Sequence, residues 1–202
     1  MLKAQSFYQP KEGTYMKLIV LLGRCGQPGQ ACQLFDEMLE EGLEPAAQLY
    51  TALLGACCRS NLIDKAFSFL EQMKALPHCQ PDVYTYSILI KACVDAARFD
   101  LLESLYEEMA ERWITPNTVT QNIVLSGYGK AERYEDMEKV LTRMLESETS
   151  IPEGTSFFSA VLHACSKAGG LVEVERVFKG VKGKLCGPDS AAYSIMMGAH
   201  RI

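Results

Sequence analysis

The sequence lacks a long hydrophobic run and a surplus of positive charge, and each absence excludes a class of protein. No apolar run approaches the roughly 20 residues that a membrane span requires, so no membrane association is expected. Lys and Arg number 20 against 25 Asp and Glu, and the net charge is −5. This balance disfavours a broad, non-specific nucleic-acid-binding surface.

The sequence is also poor in histidine, which limits its catalytic and metal chemistry. His78, His163 and His200 have no partner at a metal-ligand spacing such as HExxH. No Ser-His-Asp or Cys-His signature accompanies them. We therefore predict no metal site, no cofactor and no catalytic residue, and we expect that the protein is not an enzyme.

The eight cysteines do not have the pattern of a disulfide framework. There is no CxxC, and the adjacent Cys57 and Cys58 cannot easily form a disulfide with normal geometry. Cys57, Cys93 and Cys165 each lie seven residues after a recurring aromatic residue. We predict that they are small buried hydrophobic residues in a reducing compartment.

What the sequence does contain is an internal repeat with steps of 35 to 37 residues. An aromatic residue opens each unit, and Gln121 occupies its place in one of them. The aromatic series is Tyr15, Tyr50, Tyr86, Phe158 and Tyr193. Three further series keep the same phase: Phe35, Leu70, Tyr106, Leu141 and Phe178; Met38, Met73, Met109, Met144 and Val181; Pro45, Pro81, Pro116, Pro152 and Pro188.

Each unit has the pattern of two helices. The first carries apolar residues at helical spacing, as in 86–93, and the second is apolar inside and acidic outside, as in 66–73. Proline is predicted to end the second helix, because it lacks the N–H and restricts the preceding residue. In three units an Asp or Asn follows the proline and can cap the next helix: Asp82, Asn117 and Asp189.

One helical hairpin cannot bury its apolar stripe alone, so stacked neighbours must complete the core. The predicted fold is an all-α, right-handed superhelical solenoid of helix-turn-helix repeats, with the first helices on the concave side. The predicted units are 12–46, 47–82, 83–117, 118–154 and 155–189. Residues 190–202 are expected to form the first helix of a sixth unit, and residues 1–11 the tail of a preceding element.

The segments 31–38, 42–45 and 85–90 carry a resemblance to pentatricopeptide repeat proteins, which extends over about residues 12–202. Tetratricopeptide repeats differ in their 34-residue period and their Trp-x-x-Leu-Gly-x-x-Tyr opening. The units resemble the plain P-type subclass of plant organelles and, on array length and general texture, the short thylakoid-assembly group of splicing factors.

The resemblance implies a protein that binds single-stranded RNA in organellar RNA metabolism, such as group II intron splicing. A chloroplast location is implied, with the mitochondrion as the alternative. Residues 1–6 are too short for a transit peptide, so we expect that peptide to be absent from this chain. The implied partners are single-stranded RNA and other splicing factors, and the chain is expected to be a monomer or an RNA-dependent dimer.

The resemblance also implies which residues read bases. In the family, the residue after the leading aromatic acts together with the residue that ends the repeat. The pairs are Thr51 with Asp82, Ser87 with Asn117, Asn122 with Glu153, and Ser159 with Asp189, while Met16 with Ala46 has no polar reader. In order they resemble readers of guanine, adenine, a pyrimidine and guanine, 5′ to 3′, although Glu153 departs from the usual Asp, Asn or Ser.

Two further sets follow from the same resemblance. The residue two before the aromatic wedges between bases, which predicts Tyr84 and Val119, with Gln48 and Ser156 as weaker candidates. Nine residues after the aromatic position, a basic side chain is expected to contact phosphate, with Asp95 as the exception: Arg24, Arg59, Lys130 and Lys167. With so few wedges, we expect weak and modestly selective binding.

The acidic balance favours a second interpretation, in which the concave face of the solenoid is a protein–protein interaction scaffold. Binding of short single strands discriminates the two functions.

Overall fold

The computed structural model describes residues 12–133, 135–137 and 139–140, and all secondary structure in them is helical. Seven helices of 13 residues each follow one another within residues 12–133: α1 (Glu12–Arg24), α2 (Pro28–Glu40), α3 (Ala47–Arg59), α4 (Ile63–Ala75), α5 (Val83–Asp95), α6 (Phe99–Glu111) and α7 (Thr118–Lys130). We call α1, α3, α5 and α7 the first helices, and α2, α4 and α6 the second helices. The predicted units 155–189 and 190–202 lie outside the described residues.

The chain divides into two compact units. The first contains α1 to α5, the part of α6 from Leu101 onward, and the turn to Ile114. The second contains Ala97–Asp100 and the chain from Thr115 onward, including α7.

In the first unit, α3 is the central helix. It packs against its own hairpin partner α4 and against the neighbouring first helices α1 and α5. Gly23 of α1 permits close approach, because a Cβ there would lie 2.7 Å from the Cβ of Ala56. The unit is therefore held by contacts between successive repeats as well as within each hairpin.

The recurring residues of the sequence form the core. The aromatic residues Tyr15, Tyr50 and Tyr86 are at most 4% exposed. The members of the two second-helix series are buried as well: Phe35, Leu70 and Tyr106; Met38, Met73 and Met109. Gln121, at the aromatic position of α7, is half-buried. The all-α repeat prediction is confirmed by this packing.

The predicted burial of the cysteines is confirmed where the structure describes the chain. Cys57 and Cys93 are fully buried, and both are free thiols. Burial, the first cause, and the neighbouring Cys32 raise the pKa of Cys57 to about 12. Such a thiol is unreactive at neutral pH. Cys165 lies outside the described residues.

Proline does not end the second helices, which corrects one expectation. The second helix α2 ends at Glu40, well before Pro45. Gly42 there has φ of +74°, so the chain reverses through a left-handed residue of the kind that closes many helices. The proline instead precedes the next first helix.

The second unit has its own aromatic cluster. The rings of Phe99 and Tyr128 stack with centroids 5.4 Å apart. The guanidinium of Arg133 lies 5.0 Å from the centroid of Phe99 and 5.4 Å from that of Tyr128. These distances are within the range of a cation–π contact, so Arg133 closes the turn after α7 onto the two rings.

No helix in the described part of the chain is both long and apolar enough to span a membrane.

Candidate functional site

The N-terminal end of α5 carries a hydrogen-bonded cluster of Asp82, Thr85 and Thr51, which we call the Thr85 cluster. Asp82 is the N-cap of α5, and its Oδ1 accepts from the N–H of Thr85 at 2.8 Å and from the Thr85 hydroxyl at 2.8 Å. The Thr85 Oγ1 lies 3.0 Å from Oγ1 of Thr51 on α3. Thr51 and Asp82, which the sequence predicts as one reading pair, are thus joined through Thr85.

The number of available protons limits what the Thr51 hydroxyl can offer a ligand. The Thr51 hydroxyl contacts the carbonyl oxygen of Ala47 at 3.0 Å as well as Thr85. Since the Ala47 and Asp82 oxygens only accept, the two hydroxyls supply two protons for three contacts. In every arrangement that uses both protons within the cluster, the Thr51 proton points to a protein oxygen. What Thr51 can offer a ligand is therefore a lone pair.

Asp82, like Thr51, can offer a ligand a hydrogen-bond acceptor. It is exposed, and within the described residues its Oδ2 accepts no hydrogen bond. Thr85, by contrast, is completely buried. The Thr85 cluster therefore presents two acceptors, Thr51 Oγ1 and Asp82 Oδ2, on a buried hydroxyl support.

The N-terminal end of α7 repeats the cap with one changed atom. Oδ1 of Asn117 accepts from the N–H of Thr120 at 2.9 Å and from its hydroxyl at 2.9 Å. Because an N–H can only donate, the atom facing it is the amide oxygen, and Nδ2 is the other amide atom. We call Asn117 and Thr120 the Thr120 cluster. It offers a donor where the Thr85 cluster offers an acceptor.

The remaining predicted readers in the described chain are Ser87 and Asn122. Ser87 lies on α5 in the first unit, is 8% exposed, and donates to the carbonyl oxygen of Val83 at 2.6 Å. Asn122 lies on α7 in the second unit, and its Oδ1 is buried without a hydrogen-bond partner. An unpaired buried amide oxygen is costly, and a ligand N–H would satisfy it. Glu153, Ser159 and Asp189 lie outside the described residues.

Both predicted wedge residues are exposed although they are large and apolar. Tyr84, in the first turn of α5, is 64% exposed, and Val119, in the first turn of α7, is 62% exposed. Tyr84 is two residues from Asp82, so an aromatic face and a hydrogen-bonding edge lie on the same helix end. Gln48 is exposed on α3. Ser156 lies outside the described residues.

The predicted phosphate-contacting residues that the structure describes occupy one position, the last residue of a first helix. Arg24, Arg59 and Lys130 end α1, α3 and α7 and are exposed. Asp95 ends α5 and pairs with Lys91 at 2.9 Å. Lys167 lies outside the described residues.

Arg59 has a structural contact that the sequence did not indicate. Its Nε donates to the carbonyl oxygen of Gly23 at 3.4 Å, at the end of the neighbouring helix α1. A cation at a helix C-terminus interacts favourably with the helix dipole. Arg59 therefore stabilises the α1–α3 contact in addition to any role toward a ligand.

A polar network anchors the aromatic residue of α5 to the second helices. The Tyr86 hydroxyl donates to Glu108 Oε1 at 2.8 Å, which also lies 3.0 Å from Lys74 Nζ and 3.0 Å from Arg112 Nε. Burial acts to raise the pKa of Glu108, but the hydrogen bonds from Lys74 and Tyr86 and the charges of Lys74 and Arg112 outweigh it and lower that pKa.

Charge is divided between the two kinds of helix. The first helices carry five basic and two acidic residues, whereas the second helices carry two basic and ten acidic residues. Among the seven helices α1 to α7, the excess of negative charge therefore lies on the second helices. The helices that bear the Thr85 and Thr120 clusters are, as a set, net positive.

Family models match most of the chain. The model of the PPR repeat matches residues 13–43, 84–114, 119–148 and 156–184, and that of the PPR repeat family matches residues 45–95. The chain belongs to the pentatricopeptide repeat family.

Two relatives from Arabidopsis thaliana are pentatricopeptide repeat-containing proteins designated chloroplastic. At3g06430 is 69% identical over 76% of this chain and 32% of its own length. At5g48730 is 43% identical over 80% of this chain and 32% of its own length. The chain spans about a third of the length of these relatives.

The fold is that of solved pentatricopeptide repeat structures. The chain matches PPR10 from maize with a TM-score of 0.76 at 22% identity, over 94% of this chain and 26% of PPR10. The match to PPR10 in complex with an 18-nt psaJ RNA element has a TM-score of 0.69 at 22% identity, over 97% of this chain and 32% of that one.

Proposed function

We propose that this pentatricopeptide repeat chain binds single-stranded RNA at the N-terminal ends of its first helices, with modest sequence selectivity. The Thr85 cluster carries the proposal, because Thr85 of the next repeat joins the two members of a predicted reading pair beside the exposed ring of Tyr84. Such an arrangement suits an unstacked base, which needs both a stacking face and an edge to bind. The RNA in the PPR10 complex supports the same ligand class.

The charge distribution supports a specific path for the RNA backbone. Phosphates require local positive charge rather than a positive total. Arg24, Arg59 and Lys130 end first helices, and the acidic excess lies on second helices. We propose that the strand follows the first helices and avoids the second helices, and that Lys167 continues this contact.

We propose weak binding because few residues can stack. Tyr84 offers an aromatic face and Val119 a smaller apolar one, and a base–aromatic contact contributes about 1–3 kcal/mol. For base identity we propose guanine at Thr51 with Asp82, adenine at Ser87 with Asn117, a pyrimidine at Asn122 with Glu153, and guanine at Ser159 with Asp189. The unsatisfied Oδ1 of Asn122 supports a base contact at the third place, since an N–H on the Watson–Crick edge of a base would satisfy it.

The wider role proposed is organellar RNA processing by a binding protein without catalytic activity of its own. The designation chloroplastic of both relatives supports that compartment. Group II intron splicing, together with other splicing factors, is the specific case that we propose. Immunoprecipitation of the full-length protein from chloroplasts, followed by sequencing of bound RNA, tests it. Enrichment of intron sequences supports splicing, and enrichment of untranslated regions alone contradicts it.

The test of RNA binding is fluorescence anisotropy with labelled short strands containing GACG, GAUG or a scrambled order, over a range of salt concentrations. We expect preference for the designed strands, affinity that falls with salt, and no comparable binding to a duplex of the same length. A protein that is helical by circular dichroism but binds no strand at low salt would contradict the proposal. That outcome would favour the protein–protein scaffold.

A further inference from the structure

We propose that Thr85 and Thr120 are positioning residues: Thr120 sets the hydrogen-bonding polarity of Asn117 toward a base, and Thr85 fixes the acceptor of Asp82 in place. This inference rests on the proposed function. Each threonine is fully buried and holds Oδ1 of its cap residue with both its N–H and its hydroxyl. The Asn117 amide therefore cannot exchange its oxygen and nitrogen by rotation without losing two hydrogen bonds, and the Asp82 carboxylate, whose two oxygens are equivalent, is held in one orientation.

For Asn117 this restraint decides whether the amide atom that faces a ligand donates or accepts a hydrogen bond. An unrestrained carboxamide can present either its oxygen or its NH₂ to a ligand, and so would accept or donate with little preference. With two donors of Thr120 on Oδ1, the group left for a ligand is Nδ2, a donor. It matches an acceptor such as N1 of adenine and leaves guanine N1–H facing another N–H.

For Asp82 the same restraint fixes an acceptor in place. Oδ1 is used by Thr85, so Oδ2 is the ligand-facing acceptor, and the Thr51 lone pair is a second one held by the same hydroxyl. Guanine is the base whose Watson–Crick edge carries two adjacent donors, N1–H and N2–H. Any other base leaves at least one acceptor unpaired or facing a second acceptor, which costs affinity.

The same spacing between cap residue and threonine in α5 and α7 supports a shared positioning role for the two threonines. The threonine follows the cap by three residues in both α5 and α7, and the four donor–acceptor distances lie between 2.8 and 2.9 Å. By contrast, the N-cap of α3 is Ala46, which makes no side-chain cap bond, and α3 has no such threonine. Ala46 also belongs to the pair without a polar reader.

The experiment is a double-mutant comparison on the whole chain, with base preference as the readout. Asp82→Asn is measured with Thr85 present and in the Thr85→Val background, on strands that vary only the nucleotide at that place. With Thr85 present, we expect the substitution to move preference from guanine toward adenine. In the Thr85→Val background, we expect that change to shrink by about 3- to 10-fold, the effect of one hydrogen bond.

Two variants separate positioning from folding. Thr85→Ser keeps the hydroxyl and is expected to restore the full change in preference. Thr118→Val removes a hydroxyl from the start of α7 that makes no hydrogen bond in the described chain, and it is expected to leave base preference unchanged. Loss of stability alone would alter the folded fraction and the apparent affinity for all bases equally.

The outcomes distinguish this inference from the function on which it rests. If RNA binds and the Asp82→Asn change is equally large with Thr85 present and in the Thr85→Val background, the positioning role is wrong and RNA binding stands. If Thr85→Ser behaves like Thr85→Val, the hydroxyl is not the cause and the inference is again wrong. If the folded protein binds no strand, both proposals fail.

Discussion

The first and second helices have the same length but are built for different tasks. The first helices α5 and α7 begin with an Asp or Asn cap bonded to a buried threonine. The second helices α2 and α4 have Gln27 and Leu62 as their N-cap residues, and neither makes a side-chain cap bond. Since a missing cap costs about 1 kcal/mol, α2 and α4 depend more on packing to define where they begin, as does the first helix α3 with Ala46 as its N-cap.

The two kinds of helix also differ in charge, and this difference bears on function. Ten acidic residues lie on the second helices, and five basic residues lie on the first helices. A polyanion would therefore be attracted to the first helix of a hairpin and repelled by the second helix. A repeat protein can be acidic overall and still keep one kind of helix suited to RNA.

The largest effect is expected from disturbing the contact between neighbouring first helices. A Cβ at Gly23 would lie 2.7 Å from the Cβ of Ala56 and 2.9 Å from Nη2 of Arg59. Arg59 can move but the Ala56 Cβ cannot, so Gly23→Ala should lower the free energy of unfolding by about 2–3 kcal/mol. Urea denaturation followed by circular dichroism measures this change.

The matched control is Gly29→Ala on the second helix α2, where no atom lies within 4 Å of the added Cβ. It should stabilise the protein by up to about 1 kcal/mol, since alanine loses less backbone entropy on folding. If both substitutions had the same sign, the close packing of first helices would not be what distinguishes them.

The next effect concerns the network that holds Tyr86 to a second helix. Glu108→Gln removes the charge that pairs with Lys74 and Arg112, and we expect a loss of about 1.5–2 kcal/mol near pH 7. Because the pKa of Glu108 is lowered in the folded state, its contribution is present above the unfolded pKa near 4.5 and disappears as the pH falls through the folded value.

Denaturation of both proteins from pH 7 to pH 3 checks this prediction. The difference between native and Glu108→Gln should narrow on acidification, while Glu107→Gln, an exposed neighbour on α6, should change stability by less than about 0.5 kcal/mol. A difference that stays constant with pH would show that lost packing, rather than lost charge, causes the destabilisation.

A smaller effect is expected at the turn between the two helices of a hairpin. This turn contains a left-handed residue in each described case: Gly26, Asn61, Ala97 and Glu132, with φ of 70°, 59°, 54° and 57°. In this conformation the Cβ of an alanine lies too close to the following carbonyl oxygen. Ala97→Gly removes that Cβ and should stabilise the protein by about 1 kcal/mol.

Gly26→Ala is the reverse change at the equivalent turn position and should destabilise by a similar amount. Thermal unfolding of the two variants and of the native chain measures both changes in stability. Opposite shifts of the melting temperature are expected, and a destabilising Ala97→Gly would mean that the Ala97 methyl group makes packing contacts worth more than the strain.

Much of this division could be predicted from the sequence. Periodicity located the aromatic core, because burial of Tyr50 and Tyr86 follows directly from helical spacing and repetition. The caps Asp82 and Asn117 were also predictable, since carboxylate and amide oxygens beside a proline are strong N-cap signals. Both depend on local chemistry that repeats in phase.

The threonine hydroxyls were not predicted, because their role depends on contact between repeats. The spacing of Asp82 to Thr85 recurs from Asn117 to Thr120, and this was the available signal. Only the structure reveals that the Thr85 hydroxyl also reaches Thr51 on the preceding first helix. The contact of Arg59 with the Gly23 carbonyl was missed for the same reason.

The smallest effect tests the electrostatic half of the comparison. Lys130→Gln removes a positive charge from the end of the first helix α7, and Lys65→Gln removes one from the second helix α4; both side chains are exposed. If the RNA follows the first helices, Lys130→Gln should weaken binding by about 2- to 4-fold and reduce the slope of log affinity against log salt by about 0.7.

Lys65→Gln should leave that slope unchanged, although it alters the net charge of the protein by the same amount. Anisotropy titrations over a range of salt concentrations measure both slopes. Equal changes in the two variants would mean that the RNA senses the total charge, and the separation of basic and acidic helices would then have no part in guiding the strand. A changed slope for Lys130→Gln alone would assign a phosphate contact to the end of a first helix.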